Sequence, residues 1–166
     1  MKDPLTEITW DFLERPISFT DLTWLSGIPA APGWYLIATD APLEVLAAAP
    51  PPPSPGRHYD IAGRVAACAE LLRRDLAIRS EPGALTVVYS GQAKNLQSRA
   101  REHVRGHLKT ACLGLQNYPS LHSYRWAYRY SRYVEVDGAP TDDAALRILA
   151  EQVWRAKHGW PVLCRA

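Results

Sequence analysis

Tyr89-Ser90-Gly91-Gln92-Ala93-Lys94-Asn95-Leu96-Gln97-Ser98-Arg99-Ala100-Arg101-Glu102-His103 joins two kinds of local order. Leu85 to Ser90 (LTVVYS) is dense in β-branched residues and predicts a strand. A glycine and a polar turn follow. Asn95 is placed to cap a helix running from Leu96 to about Leu108. Arg99 and His103 stand four apart on that helix and so share a face. The planar fork of Arg99 suits a phosphate oxygen, and His103 can accept, donate or orient a proton near neutral pH. A solvated basic helix face explains the same two residues, so the pair alone does not assign a function.

Upstream, Gly33 to Thr39 (GWYLIAT), bounded by Pro32 and Asp40, predicts a strand. Pro50 to Pro53, with Pro55 and Gly56, predicts an exposed polyproline-type loop. Ile61 to Ile78 predicts a helix with Ile61, Val65, Cys68, Leu72 and Leu76 on its apolar face and Arg64, Arg73 and Arg74 off it. Glu81-Pro82-Gly83 is a turn. Downstream, Tyr124 to Val136 alternates aromatic and charged residues and predicts a third strand, ended by Asp137-Gly138. Thr141 or Asp142 then caps a last helix from Asp143 to about Lys157, stopped by Gly159 and Pro161. Residues 1–32 are a lead-in of short helical or irregular pieces, broken by Pro4, Pro16, Pro29 and Pro32. This order predicts an α/β fold, a small sheet of about three core strands flanked by helices. Residues 1–166 are read as a single domain, with residues 40–84 inserted between the two tyrosine-bearing segments.

A length of 166 residues suits one domain, and an apolar fraction of 47% is enough to bury a core. The net charge of +2 neither requires nor excludes a nucleic-acid partner, because local charge decides binding more than the total. Cys68, Cys112 and Cys164 lack the spacing of a zinc site or a disulfide framework, so buried reduced thiols are expected. The first sixteen residues are too acidic for a signal peptide, and no stretch reaches the roughly 20 apolar residues of a membrane span. A soluble, cytoplasmic chain without a membrane partner is the expectation.

Tyr89-Ser90-Gly91, then Lys94-Asn95-Leu96, Arg99 ten positions after Tyr89 and His103 four later, resembles the second half of the GIY-YIG nuclease core. Pro32-Gly33-Trp34-Tyr35 resembles its first half, and Glu151 in LRILAEQVWRAKHGWP takes the place of its late-helix carboxylate. The matches cover residues 32–37, 88–104 and 146–161. Trp34 and Ser90 stand where the family has isoleucine, and the insertion separates the motifs, as it does in some of the family's restriction enzymes. The terminal Asn of many members is absent from Pro161-Val162-Leu163-Cys164.

The resemblance implies a metal-dependent endonuclease that hydrolyses DNA phosphodiester bonds, in restriction, phage defence, a mobile element or repair. Glu151 would hold one Mg²⁺ or Mn²⁺, a hard cation that takes oxygen ligands. Tyr35 and Tyr89 would turn their hydroxyls toward the attacking water, one of them orienting or deprotonating it, and Arg99 would stabilise the phosphate. Which tyrosine is the base stays open, since a phenol with a pKa near 10 needs help from a neighbouring cation. Each residue also has a plainer account: Glu151 as a surface residue of an amphipathic helix, the tyrosines as core aromatics with hydroxyls satisfied elsewhere.

Lys94, Arg101, His107, Arg125 and Arg129 are the candidate DNA contacts. The last two belong to a ribbon in which Arg125, Arg129 and Arg132 interleave with Tyr124, Trp126, Tyr128, Tyr130 and Tyr133. Such a ribbon either follows a phosphate backbone or is a sheet with one packed aromatic face. His107 is equally readable as a surface residue. The oligomeric state is left open, a homodimer included. The alternative function is a catalytically silent nucleic-acid-binding or protein-interaction module that keeps the fold.

Overall fold

The computed structural model describes residues 11–52, 59–107, 109–132 and 144–165. Its centre is a four-stranded sheet of β1 (Leu13–Pro16), β2 (Gly33–Thr39), β3 (Thr86–Ala93) and β4 (Trp126–Arg132). The spatial order is β1-β4-β2-β3, and each neighbouring pair is antiparallel. The helices are α1 (Leu43–Ala47), α2 (Ile61–Ala67), α3 (Ala69–Arg73), α4 (Leu96–Arg105) and α5 (Ala144–His158). The mixed α/β architecture and the three expected strands are present, and β1 adds a fourth.

Every residue of β2 is buried because the strand lies between β4 and β3 with helices on both faces. This is why its sequence is a continuous apolar run rather than an alternating one. Side chains alternate across the sheet. Tyr35 and Ile37 share a face with Tyr89 and Tyr128, and α4 covers it: Tyr35 meets His103, and the Tyr128 hydroxyl donates to Leu96 O at 3.2 Å. Trp34 and Ser90 belong to the other face, where α5 packs and the Trp34 indole N–H donates to Arg147 O at 3.0 Å.

The α4 helix begins as its sequence predicts, with the Asn95 side chain accepting from Ser98 N at 2.9 Å. Two further N-terminal donors are satisfied by the lead-in: Leu96 N bonds Ala31 O and Gln97 N bonds Pro29 O. The lead-in is therefore part of the scaffold. Ile17, Leu25 and Ile28 from it join one core with Leu46, Ile61 and Val65 of the insertion and with the sheet.

Several local expectations need correction. The long 61–78 helix is two short ones broken at Cys68, whose thiol donates to Val162 O at 3.3 Å. It ends at Arg73; Asp75 turns the chain at φ 57°, and Leu76 is 54% exposed instead of lying on the apolar face. Ala77 then bridges to Trp160, a tertiary contact that helical periodicity does not register. Of the proline run, Pro50 and Pro51 are exposed but Pro52 is buried. The expected 96–108 helix stops at Arg105, where Gly106 leaves helical geometry at φ 85°. Pro53 and Pro55, Tyr133 to Val136, and the proposed caps Thr141 and Asp142 lie outside the described residues.

The edges of the sheet are closed unequally. β1 is four exposed residues on β4, with Glu14 opposite Arg129 and paired to it at 2.6 Å. The outer edge of β3 is covered by the chain end: Leu163 N bonds Val88 O at 2.9 Å, and Ser90 N donates to Cys164 Sγ at 3.2 Å. The three cysteines are free and buried. No helix among the described residues is long and apolar enough to cross a membrane.

Asn95→Ala removes the α4 cap and is expected to lower unfolding stability by about 1 kcal/mol. Urea denaturation checks this; an unchanged midpoint would show that the lead-in carbonyls alone hold the helix start.

Candidate active site

The two motif glycines have a packing reason. Tyr35 lies directly opposite Gly91, and a Cβ at Gly91 would run into the Tyr35 phenol. A Cβ at Gly33 would meet the Ser131 carbonyl of β4 and, at 2.8 Å, the Leu96 side chain of α4. Glycine at these positions lets Tyr35 lie over β3 and lets α4 sit close on the sheet.

Tyr35 then stacks between Tyr89, ring centres 6.2 Å apart, and Tyr128, 5.3 Å apart. His103 closes the cluster, its ring 4.7 Å from Tyr89 and its Nε2 2.9 Å from the Tyr35 hydroxyl. The direction of that last bond follows from the other side of the ring. Leu113 N donates to His103 Nδ1 at 3.2 Å, so Nδ1 carries a lone pair. Complete burial, aided by the nearby Arg99 charge, pushes the His103 pKa down to about 3 and keeps the ring neutral. A neutral ring with an accepting Nδ1 has its proton on Nε2, and His103 therefore donates to Tyr35. It cannot take the Tyr35 proton.

The phenols are held protonated. Burial is the largest cause for both; Tyr89 and Tyr128 also raise Tyr35, Cys164 and Tyr59 raise Tyr89, Arg99 pulls both down, and Glu151 pushes both up. The net pKa of each lies above that of a free phenol, so neither tyrosine is a resting phenolate near neutral pH. The hydroxyls also do not converge on one point as expected: Tyr89 donates to Ala111 O at 3.0 Å, whereas Tyr35 receives from His103.

Arg99 is partly exposed beside this cluster. Its Nη1 meets Glu102 Oε2 at 2.8 Å, an oxygen that also accepts from Thr110 at 3.2 Å. Glu151 approaches from the other face of the sheet, on α5. Its Oε1 is paired with Arg155 and lies 3.5 Å from the Ser90 hydroxyl. Arg155 ties the corner together, donating to Ser90 Oγ at 2.8 Å and to Ser90 O at 3.2 Å, and stacking on Trp160. Burial raises the Glu151 pKa, with Arg155 and the Ser90 contact opposing it. The charge effects of Glu151 on Tyr35 and Tyr89 place it within electrostatic reach of both, despite the intervening sheet.

The five sequence-derived residues, Tyr35, Tyr89, Arg99, His103 and Glu151, thus gather in one region: four in direct or electrostatic contact beside α4, and Glu151 across β3. Trp34 and Ser90, where the resembled motifs have isoleucine, both tie down the helix that carries Glu151, one through Arg147 O and one through Arg155. Sequence reasoning missed Glu102 and Arg155, although Arg99–Glu102 and Glu151–Arg155 have the three- and four-residue spacings of helical ion pairs. Tyr128 and Cys164 join the site through tertiary packing alone.

Among the candidate DNA contacts, Lys94, Arg101 and His107 are exposed. Arg125 is paired with Asp40 at 2.8 Å and Arg129 with Glu14 at 2.6 Å. Trp126, Tyr128 and Tyr130 are buried, so the aromatic ribbon is a packed sheet face.

No group of three or more His, Cys, Asp or Glu placed to hold a metal occurs among the described residues. Glu151 is the carboxylate that the motif resemblance points to; Glu102 stands beside Arg99 on the other face of the sheet. All hydrogen bonds and ion pairs of Glu151 among the described residues go to Oε1, leaving Oε2 for a ligand. One carboxylate oxygen fits Mg²⁺, which commonly takes one or two carboxylates and completes its shell with water and phosphate. Compared with known proteins, the chain matches no family model, no curated protein and no solved structure.

The depressed His103 pKa has a pH signature. The unfolded chain binds a proton below about pH 6.5, while the folded chain stays neutral until about pH 3. The contribution is fully present above pH 6.5 and is lost as the pH falls toward 3, at up to roughly 1.4 kcal/mol per unit. His103→Gln is expected to flatten the decline in unfolding free energy between pH 7.5 and 4.5. Equal declines in both proteins, measured by urea titration at the two pH values, would place the acid sensitivity elsewhere.

Proposed function

We propose that the protein is a metal-dependent endonuclease acting on DNA phosphodiester bonds, related in architecture to the GIY-YIG nucleases its motifs resemble. The observation that carries this reading is the gathering of Tyr35, Tyr89, Arg99 and His103 beside α4, with Glu151 in electrostatic reach across β3. The direct antiparallel pairing of the two motif strands, β2 and β3, supports the same relation. Three free thiols suit a reducing, cytoplasmic setting.

The residues divide by access. Arg99, Tyr89 and Glu151 reach solvent and are the groups that meet substrate. Arg99 exchanges Glu102 for a phosphoryl oxygen, whose charge grows in the transition state. Tyr89 gives its proton to Ala111 O, so its oxygen accepts from the attacking water and orients it. Tyr35 and His103 are sealed and act as positioning residues: the His103 N–H fixes the Tyr35 phenol, and that ring supports Tyr89 from behind. Glu151 Oε2 would hold Mg²⁺ or Mn²⁺. When bound, the cation supplies Lewis acidity and stabilises the leaving oxygen. With one protein ligand and Arg155 on the other carboxylate oxygen, tight metal binding is expected only with substrate phosphate present.

Arg99→Lys is expected to slow single-turnover cleavage of duplex DNA by about 100- to 1000-fold, because a flexible point charge replaces two parallel donors. Glu151→Gln should nearly abolish Mg²⁺-dependent cleavage while the domain stays folded and still binds DNA. A lysine variant within a few-fold of wild type would reduce Arg99 to surface charge. Wild-type protein that binds DNA but never cuts it would favour the silent binding module.

A further inference from the structure

A second polar cavity lies next to the tyrosine cluster. It has a volume of about 180 Å³ and is walled by Tyr59, His107, Lys109, Thr110, Asn117 and Arg165, with Ala111, Cys112 and Gly114 completing it. It shares two walls with the candidate active site. Ala111 O receives the Tyr89 hydroxyl bond, and the Tyr59 ring stands edge-on to Tyr89 at 6.4 Å.

The chemistry of the wall is one-sided. Two cations, Lys109 and Arg165, line it, and among the described residues no carboxylate does. Neither cation has an ion pair among the described residues; Arg165 rests on the Tyr59 ring at 5.4 Å. Arg125–Asp40, Arg129–Glu14 and Arg73–Glu70, by contrast, are ion-paired. Thr110 and Asn117 add hydrogen-bonding side chains. His107 Nδ1 accepts from Lys109 N at 3.2 Å, which leaves its Nε2 as a further donor. The carbonyl end of α4 lies on this side and carries about half a negative charge, which two full cations outweigh. The volume suits a phosphate group with its waters.

We propose that this cavity is a second phosphate subsite, which holds a backbone phosphate of the nucleic acid flanking the one presented to Arg99. That the phosphate belongs to DNA undergoing cleavage rests on the proposed nuclease activity; that the cavity binds phosphate does not. Lys109 and Arg165 supply the charge, and Thr110, Asn117 and His107 the directional donors. The Tyr59 ring holds the Arg165 guanidinium over the opening.

Two readouts test the subsite. Inorganic phosphate, titrated into ¹⁵N-labelled full-length protein, should shift the backbone amides of Lys109, Thr110 and Asn117 saturably, and Lys109→Met/Arg165→Met should abolish the shift. In DNA cleavage the double variant should raise KM about tenfold with kcat within twofold. Removing each phosphate-contacting cation should reduce the slope of log affinity against log salt by about 1. Lys109→Met alone, at an exposed position, provides the same test with a slope change of about 1 should the double variant fail to fold. No saturable shift, or a wild-type KM and salt slope in either folded variant, overturns the subsite. If wild type cuts no DNA while phosphate still shifts these amides and the variants lose the shift, the nuclease reading falls and the subsite stands. If Arg99→Lys stops cleavage while the Lys109 and Arg165 variants behave as wild type, the nuclease reading stands and the subsite falls.

Discussion

Tyr35 lies across β3 because residue 91 has no side chain, and it stays there because His103 Nε2 holds its hydroxyl at 2.9 Å. Much of the centre of the molecule follows from these two facts. The phenol fills the space over Gly91 and stacks on Tyr89 and Tyr128, which sets the distance between α4 and the sheet. His103 must be buried to reach it. Burial in turn makes the ring neutral, and the Leu113 N–H fixes which nitrogen carries the proton. A buried polar network of this kind favours one arrangement because each member would be costly to leave unpaired.

The sheet also separates two kinds of chemistry. On the α4 face the site is aromatic and neutral, with Arg99 and Glu102 at its rim. On the α5 face it is ionic, a corner of Ser90, Glu151, Arg155 and Cys164 closed around the edge of β3. Glu151 is held there by an arginine, so its charge is partly spent before any ligand arrives. Under the proposed function, a cation at Oε2 would compete with that pair, and a substrate phosphate would draw Arg155 away and share the cation with Glu151. The geometry suits a site completed by its substrate.

The motif residues were the legible part of the sequence. Strand β2, the start of α4 and its Asn95 cap follow from local patterns. What local reading missed has a common physical origin. β1 is four residues, Leu-Glu-Arg-Pro, with no alternation, and it exists as a strand because β4 offers an edge. The 61–78 helix breaks because Cys68 and Ala77 have tertiary partners, Val162 and Trp160, that outweigh helical periodicity. The direction of the Tyr35–His103 bond depends on Leu113, ten residues beyond the motif, and no spacing rule contains it.

The account turns on His103 being a neutral donor to Tyr35 rather than a base. Long-range ¹H–¹⁵N correlation of the histidine side chains in the folded protein observes this directly. The result expected for His103 is a protonated Nε2 with an unprotonated Nδ1, unchanged from pH 8 to pH 5. A ring that titrates near pH 6.5, or one protonated at Nδ1, would contradict it.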